Sequence, residues 1–284
     1  MTPVKHIMLL AMLCAGKPAT SQISGYKTIP GDYASVVAAV TALNSQGVGP
    51  GGVIIDVLQG TGPYTGQVNF TQIAGASATN PVIMNGNGNT IQFATALGNK
   101  HVVELDGTDY LTLDNFTIMT TNSSYGHGVW LHNQANNNTI SNCTINLSNV
   151  TSTNSNYSLG IGLSNSTTIP NGGNNGNNNT FSGNTITGAY RSIFMAGTSA
   201  NKLTGNVVVN NILSDFYSEG IFLEQNDGTI ISGNDIQRPT RTNEPSACAG
   251  ILAETGNMNV LIDRNKIHDT HTGGSNGTFS GNIL

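Results

Sequence analysis

Apolar and polar positions alternate along this chain in short runs, and beyond residue 47 no stretch holds a helical period. Between Thr180 and Ile267 one phrase recurs: an apolar residue, two polar residues, Asn, one polar residue, and a second apolar residue. Phe181-Ser182-Gly183-Asn184-Thr185-Ile186 is the type copy. Leu203 to Val208 around Asn206, Ile231 to Ile236 around Asn234, and Ile262 to Ile267 around Asn265 repeat it. Looser copies put Phe116 and Cys143 in the Asn place, and one more begins at Phe279. Upstream of most anchors sits a second phrase, Gly then apolar-x-apolar: Gly128-Val129-Trp130-Leu131, Gly160-Ile161-Gly162-Leu163, Gly220-Ile221-Phe222-Leu223 and Gly250-Ile251-Leu252. Ser192-Ile193-Phe194-Met195 keeps it without the Gly.

A repeat of two or three such strands without helical period reads as one coil of a solenoid. Equivalent side chains in successive coils then stack about 4.8 Å apart, so the Asn column predicts a ladder of amides bonding each other and the turn backbone. Before the repeat, Asp32 reads as an N-cap, Val36, Val40 and Leu43 share one helical face, and Gly47 is a C-terminal stop. A helix over 33–46 is predicted to plug the N-terminal end of the coil within a cap of residues 22–60, leaving 61–284 as solenoid. Ser164 to Asn179, rich in Asn, Gly, Ser and Thr, reads as a loop protruding from a turn, and Ser148 to Tyr157 as a smaller one. The chain stops mid-phrase at Leu284, which reads as a fragment with further coils, and any anchoring module, beyond it.

The pattern from Val53 onward resembles the right-handed parallel β-helix family, the architecture of pectate lyases, polygalacturonases and many secreted bacterial surface proteins. The stretch from Tyr26 to Met84 is similar to the N-terminal cap of the secreted members. The resemblance implies an all-β right-handed solenoid with a capping helix; many functions share that scaffold.

Composition narrows the partners. Of 284 residues only 9% are charged, the net charge is −5, and Asn outnumbers even the 35 Gly. Asn and Gly tolerate the positive φ that solenoid turns require. No basic run or stripe exists to meet phosphates, so nucleic acid is excluded as a partner. Lys5 and His6 precede an apolar run, Ile7 to Ala15, shorter than the about 20 residues that span a bilayer. With small residues at Ala19 and Ser21 it reads as a secretory signal peptide over 1–21 and a secreted or surface location, without membrane insertion, for a monomer. Cys143 falls on an inward column and Cys248 in a turn on another face, so no disulfide between them is expected.

In the Gly-apolar-x-apolar strand the first and third apolar residues point inward, so the residue between them faces out. That outward column is Trp130, Gly162, Phe194, Phe222 and Leu252, a row of rings on which sugars could stack. The alternative is that loops at 145–159, 187–191 and 210–219 fold over the rings and bury them. The next outward column is His132, Ser164, Ala196, Glu224 and Glu254. Glu224 and Glu254 in consecutive coils would sit about one rung apart, a separation that fits a retaining acid/nucleophile pair at about 5 to 5.5 Å. Shared Ca²⁺ coordination, or two solvated glutamates splayed apart, are the other readings. Arg191 and Glu219 form a candidate ionic patch beside Phe194 and Phe222. Farther along each coil, Arg238, His268 and Asp269 align as a candidate lyase set, in which a base abstracts a proton and a cation neutralises an adjacent sugar carboxylate.

Against the family's enzymes the match is partial. Gly126-His127-Gly128 and Arg264-Asn265-Lys266 copy two polygalacturonase elements, but no Asp-Asp pair or Asn-Thr-Asp precedes His127, so that activity does not carry over. The Asp-rich Ca²⁺ cluster of pectate lyases has no counterpart. Thr112, Thr139 and Thr180, with Thr117, Thr144 and Thr185, form two outward ranks of the kind that bind ice, expected to be interrupted by Lys202, Val207, Asp235 and Lys266. The sequence therefore predicts a polysaccharide-binding surface protein, with a polysaccharide lyase or glycosidase and a passive stalk as alternatives.

Overall fold

The structure, a computed structural model, describes residues 21–243, 245 and 248–270, and the backbone alone of 279–283. The predicted signal segment lies outside the described residues except for its last member, Ser21.

Three parallel sheets run the length of the coil, one of nine strands and two of eight. Each rung gives one strand to each sheet, as in Thr180–Ser182, Thr185–Gly188 and Arg191–Ala196. Ile140 pairs with Phe181 and Phe181 with Val208, Ile145 with Ile186 and Ile186 with Leu213, so inward residues of successive rungs lie directly above one another. All these inward side chains are buried in one continuous apolar core. This is the common phase that the alternation predicts.

The Asn column exists, with one correction. Its members are Asn184, Asn211, Asn234 and Asn265, with Cys143 and Phe116 in the earlier rungs. Each Asn Oδ1 accepts the backbone N–H of the residue one rung up at 2.9 to 3.0 Å, as Asn211 does from Asn184, and Asn234 from Asn211. Each amide nitrogen donates to a carbonyl of the rung above, Asn211 to Phe181 at 3.0 Å. Asn206 is not in this ladder. It belongs to a second one, at the opposite end of the same strands, where Asn138, Asn179 and Asn206 are joined by N–H to Oδ1 bonds of 2.9 Å. Both turns bury backbone donors and acceptors, and both satisfy them with the same residue type.

At the N-terminal end the helix is Val36–Gln46, shorter than the predicted 33–46. Its N-cap is Ser35, whose Oγ accepts from Ala38 N–H, whereas Asp32 accepts from Thr28 N–H outside the helix. Gly47 closes it with φ 72°, donating to Leu43 O. Val36, Ala39, Val40 and Leu43 are buried against the first rungs. Asn44 donates to Asn69 O at 2.8 Å and accepts from Thr71 N–H at 3.1 Å, so an amide side chain pairs the exposed edge strand Val68–Phe70. Among the described residues no helix is long and apolar enough to cross a membrane.

Cys143 is buried on the inward column as expected, and burial pushes its thiol up to about 12. Cys248 does not sit in a turn: it opens the strand Cys248–Ala253. The two Thr ranks are real. Thr112, Thr139 and Thr180 continue as Val207, Ile230 and Leu261, and Thr117, Thr144 and Thr185 as Ile212, Asp235 and Lys266. Lys202 lies in neither rank, and the two belong to different sheets on either side of the Asn184 turn, so they do not form one lattice.

Candidate functional site

The outer face of the sheet containing His101–Asp106, Gly126–His132, Ser158–Leu163, Arg191–Ala196, Glu219–Glu224 and Cys248–Ala253 carries most of the predicted chemistry. Its strands are in register, which fixes three outward columns. The first is His101, His127, Leu159, Arg191, Glu219 and Ala249. The second is Asn69, Glu104, Trp130, Gly162, Phe194, Phe222 and Leu252. The third runs from Asp106 through His132 to Ala196 and Glu224. Glycines before the inward apolar pair let neighbouring backbones approach closely; a Cβ on Gly160 would stand 2.3 Å from Ser192 O.

In the C-terminal half of this face Phe194 and Phe222 stack with centroids 5.0 Å apart and planes at 13°. They point outward, yet only 3% and 8% of their surface is exposed, in a small cluster with Leu159 and Ala196 that is separate from the core. Arg191 covers them. Its guanidinium carbon is 4.5 Å from the Phe222 centroid and 5.3 Å from that of Phe194, and its Nε donates to Glu219 Oε2 at 2.7 Å. The ionic patch expected of Arg191 and Glu219 is thus built directly on the rings, which are roofed rather than open. Beside it lies a shallow groove of about 510 Å³, lined by Pro170, Asn171 and Gly172 of the long insertion and by Thr198 and Ser199 of the turn that Gly172 packs against. Arg191, Phe194, Phe222, Glu224 and Gln225 also line it.

Glu254 follows the last paired residue of its strand. Its N–H donates to Leu223 O at 2.8 Å and Gln225 N–H to Thr255 O at 3.1 Å, so it keeps register with Glu224 one rung away. Glu224 is partly buried in the groove and Glu254 is exposed.

The N-terminal half of the face holds a cluster that the sequence pattern did not reveal. Glu104 lies between two imidazoles, with Oε2 3.5 Å from His101 Nε2 and Oε1 3.1 Å from His132 Nε2. Trp130 stacks on His132 at 3.8 Å and 8°, is tilted against His101 at 5.3 Å, and donates its indole N–H to Ser164 O at 2.7 Å. Burial, the larger cause, holds the His101 pKa below its usual value against the neighbouring Glu104 charge. Lys100, 1% exposed, donates to Asn156 O at 2.8 Å, Thr167 O at 2.8 Å and Thr168 O at 3.1 Å. All three acceptors belong to the two predicted insertion loops, so one ammonium pins both loops over this half. Desolvation lowers the Lys100 pKa. His127, beneath the loops, is fully buried, and burial pushes its imidazole down to about 3. The resemblance of Gly126-His127-Gly128 to a catalytic element therefore ends in an enclosed, neutral side chain.

The third candidate set aligns as predicted, with Gln237 opposite His268 and Arg238 N–H donating to Asp269 O at 3.3 Å, but its side chains meet different surroundings. Arg238 is 1% exposed, and its guanidinium donates to the carbonyls of Phe216, Asn243 and Thr270 at 2.8 to 3.2 Å. Enclosed in this way it cannot neutralise the carboxylate of a sugar outside. His268 stays at the surface, bridging Asp269 and Asp235 at 2.6 Å each; these bonds, to Asp269 first, raise its pKa. Arg238 is thus enclosed while His268, held by two carboxylates, stays at the surface. Among the described residues no group of three His, Cys, Asp or Glu side chains is arranged to hold a metal ion.

Three sheets in shared register, with one strand of each per rung, decide the architecture. The chain is a parallel β-helix. No protein-family model matches it, and no curated protein matches it by sequence. Solved structures similar to this β-helix include an alginate lyase from Paenibacillus sp., at TM-score 0.45 and 12% identity over 87% of this chain and 98% of that one. The Dettilon tailspike protein is similar at TM-score 0.34 and 13% identity, over 86% of this chain and 62% of that one.

Proposed function

We propose that this β-helix is a secreted protein that holds an extracellular polysaccharide in the groove lined by Pro170–Gly172, Thr198, Ser199 and Glu224. The observation that carries this reading is the make-up of the groove: an Arg fixed over stacked rings, a partly buried carboxylate at Glu224, and amide and hydroxyl groups at Asn171, Thr198, Ser199 and Gln225. Ligand sites set a few fixed polar groups on an apolar backing in this way, here with the Arg191 guanidinium between the rings and the ligand. The groove lies on a straight face, so successive sugars of a chain running along the coil would meet successive rungs. Secretion is supported by the apolar run Ile7 to Ala15 and the small residues before Gln22.

Retention on a panel of immobilised polysaccharides tests the reading, comparing wild type with Phe222→Ala and Arg191→Ala. Both variants alter the floor while leaving the main core intact, and thermal melting verifies the fold. Wild type should bind at least one glycan and both variants should lose it. No retention by the wild type ends the proposal.

A second reading, glycoside hydrolysis by Glu224 and Glu254, is favoured by their register across one rung, close to the about 5 to 5.5 Å of a retaining pair. New reducing ends from the bound glycan, abolished in Glu224→Gln, would convert the binder into an enzyme. Unchanged glycan over long incubation leaves the carboxylates with binding alone.

A further inference from the structure

Resting on the groove as a glycan site, we propose that its ligand is a polysaccharide without acid groups, with free amines strengthening the contact, and that polyuronates and sulfated chains are rejected. The argument is one of charge at named atoms. Arg191 is the cation that lines the groove, and Glu219 neutralises it through the 2.7 Å bond from Nε. Glu219 is itself fixed, 7% exposed, with its second oxygen accepting from Ser218 Oγ at 2.8 Å. The pair therefore presents no net charge, and the remaining guanidinium N–H groups are donors suited to neutral hydroxyl and ring oxygens. Lys202, the other cation at this end of the face, has its ammonium held by Gln225 Oε1 at 3.0 Å and by the Gly256 carbonyl.

What remains is net negative: the Lys202 ammonium, held by neutral oxygens, keeps its charge, and two carboxylates stand against it. Glu224 lines the groove and Glu254 continues its column one rung on, and among the described residues neither has an ion-pair partner. Two carboxylates stacked this closely repel each other and would repel a third from an acidic sugar. An ammonium or a hydroxyl placed between them relieves that repulsion. A polysaccharide lying along the coil passes both, so the preference applies to each repeat of the ligand rather than to one terminal sugar.

The test is retention on chitosan with its amines protonated, on acetylated chitin and cellulose, and on alginate, pectate and a sulfated galactan, at low and moderate salt. The expected order is chitosan first, the neutral glycans next and the anionic ones last. Glu224→Gln/Glu254→Gln should reduce retention on chitosan about tenfold, a larger loss than on the neutral glycans, and so narrow the gap between them. Glu219→Gln, nearly isosteric, frees the charge of Arg191 and should raise retention on alginate. Tightest binding of the wild type to an acidic glycan, or an unmoved preference in both variants, overturns this proposal while the polysaccharide reading stands. Failure to bind any of the panel overturns the polysaccharide reading and this inference with it.

Discussion

The two halves of the outer face share three columns and one register, yet one is closed and the other keeps a groove. In the N-terminal half Glu104 bridges His101 and His132, Trp130 stacks on His132, and Lys100 draws loop carbonyls down over His127. In the C-terminal half Arg191 and Glu219 lie on stacked rings, and Glu224 is left beside open space. Two insertions close the N-terminal half, and the longer one reaches the groove. The loop that leaves Ser164 is held first by Trp130 and Lys100. It then supplies Pro170, Asn171 and Gly172 to the groove wall and returns through Gly173 N–H and the Asn175 amide to Ala196 O. The closed half is thus the anchor that positions a wall of the open half. Polar residues on a solenoid face need not contact ligand to serve binding; they can hold the segment that does.

The largest expected effect is one that ignores the division. Asn211→Ala removes an amide that donates to Phe181 O and Asn234 Oδ1 and accepts from Asn184, all within a buried turn. Leaving several buried backbone and side-chain groups unpaired should cost about 4 kcal/mol. Denaturant unfolding should show both halves falling together, since the ladder belongs to the shared core. A variant that loosens the groove while His127 stays protected from exchange would show the halves unfold separately.

Lys100→Met should cost somewhat less, about 3 kcal/mol, because three loop carbonyls lose a charged donor but can reach water once the loops lift. Its signature is local. Limited proteolysis should cut within 151–157 and 165–172 under conditions where wild type resists, and glycan retention should fall although Lys100 touches nothing in the groove. Intact loops in Lys100→Met would mean that the anchor does not hold the wall.

The columns were legible because strict alternation and a recurring Gly fix which residue faces out, and the register then places Phe194 on Phe222 and Arg191 on Glu219. The closed cluster was not, because its first strand lacks that punctuation. Val102 stands where later rungs carry Gly, so the glycine that marks Val129-Trp130-Leu131 is missing before Val103-Glu104-Leu105, although both share the apolar-x-apolar pattern. The sequence does not separate Asn206 from the other ladder, because both turns demand the same residue and the phrase Leu203 to Val208 satisfies either. Arg238 failed for a different reason. Strand alternation ends at Gln237, and no pattern in the sequence says whether a long side chain in the following turn folds inward onto carbonyls or outward to solvent.

The smallest effect separates the halves by pH. Buried His127 keeps a folded pKa of about 3, whereas an unfolded histidine titrates near about 6.5. Between these values the unfolded chain binds the extra proton, so the stability tied to neutral His127 is complete above about pH 6.5 and shrinks as the solution is acidified. The loss is about 1.4 kcal/mol per pH unit, or about 2 kcal/mol by pH 5. His101, also depressed by burial, adds to the same trend, while the groove half contains no His in any of its columns. Acid should therefore open the N-terminal half first. His127→Leu copies Leu159, its neighbour in the column, and should narrow the drop in melting temperature between pH 7.5 and pH 5. Amide exchange at pH 5 should then slow at residues 126–132 and not at 219–224. An acid response that is unchanged in His127→Leu, or that begins at Phe222, would mean that the closed half is not the acid-sensitive part of the face.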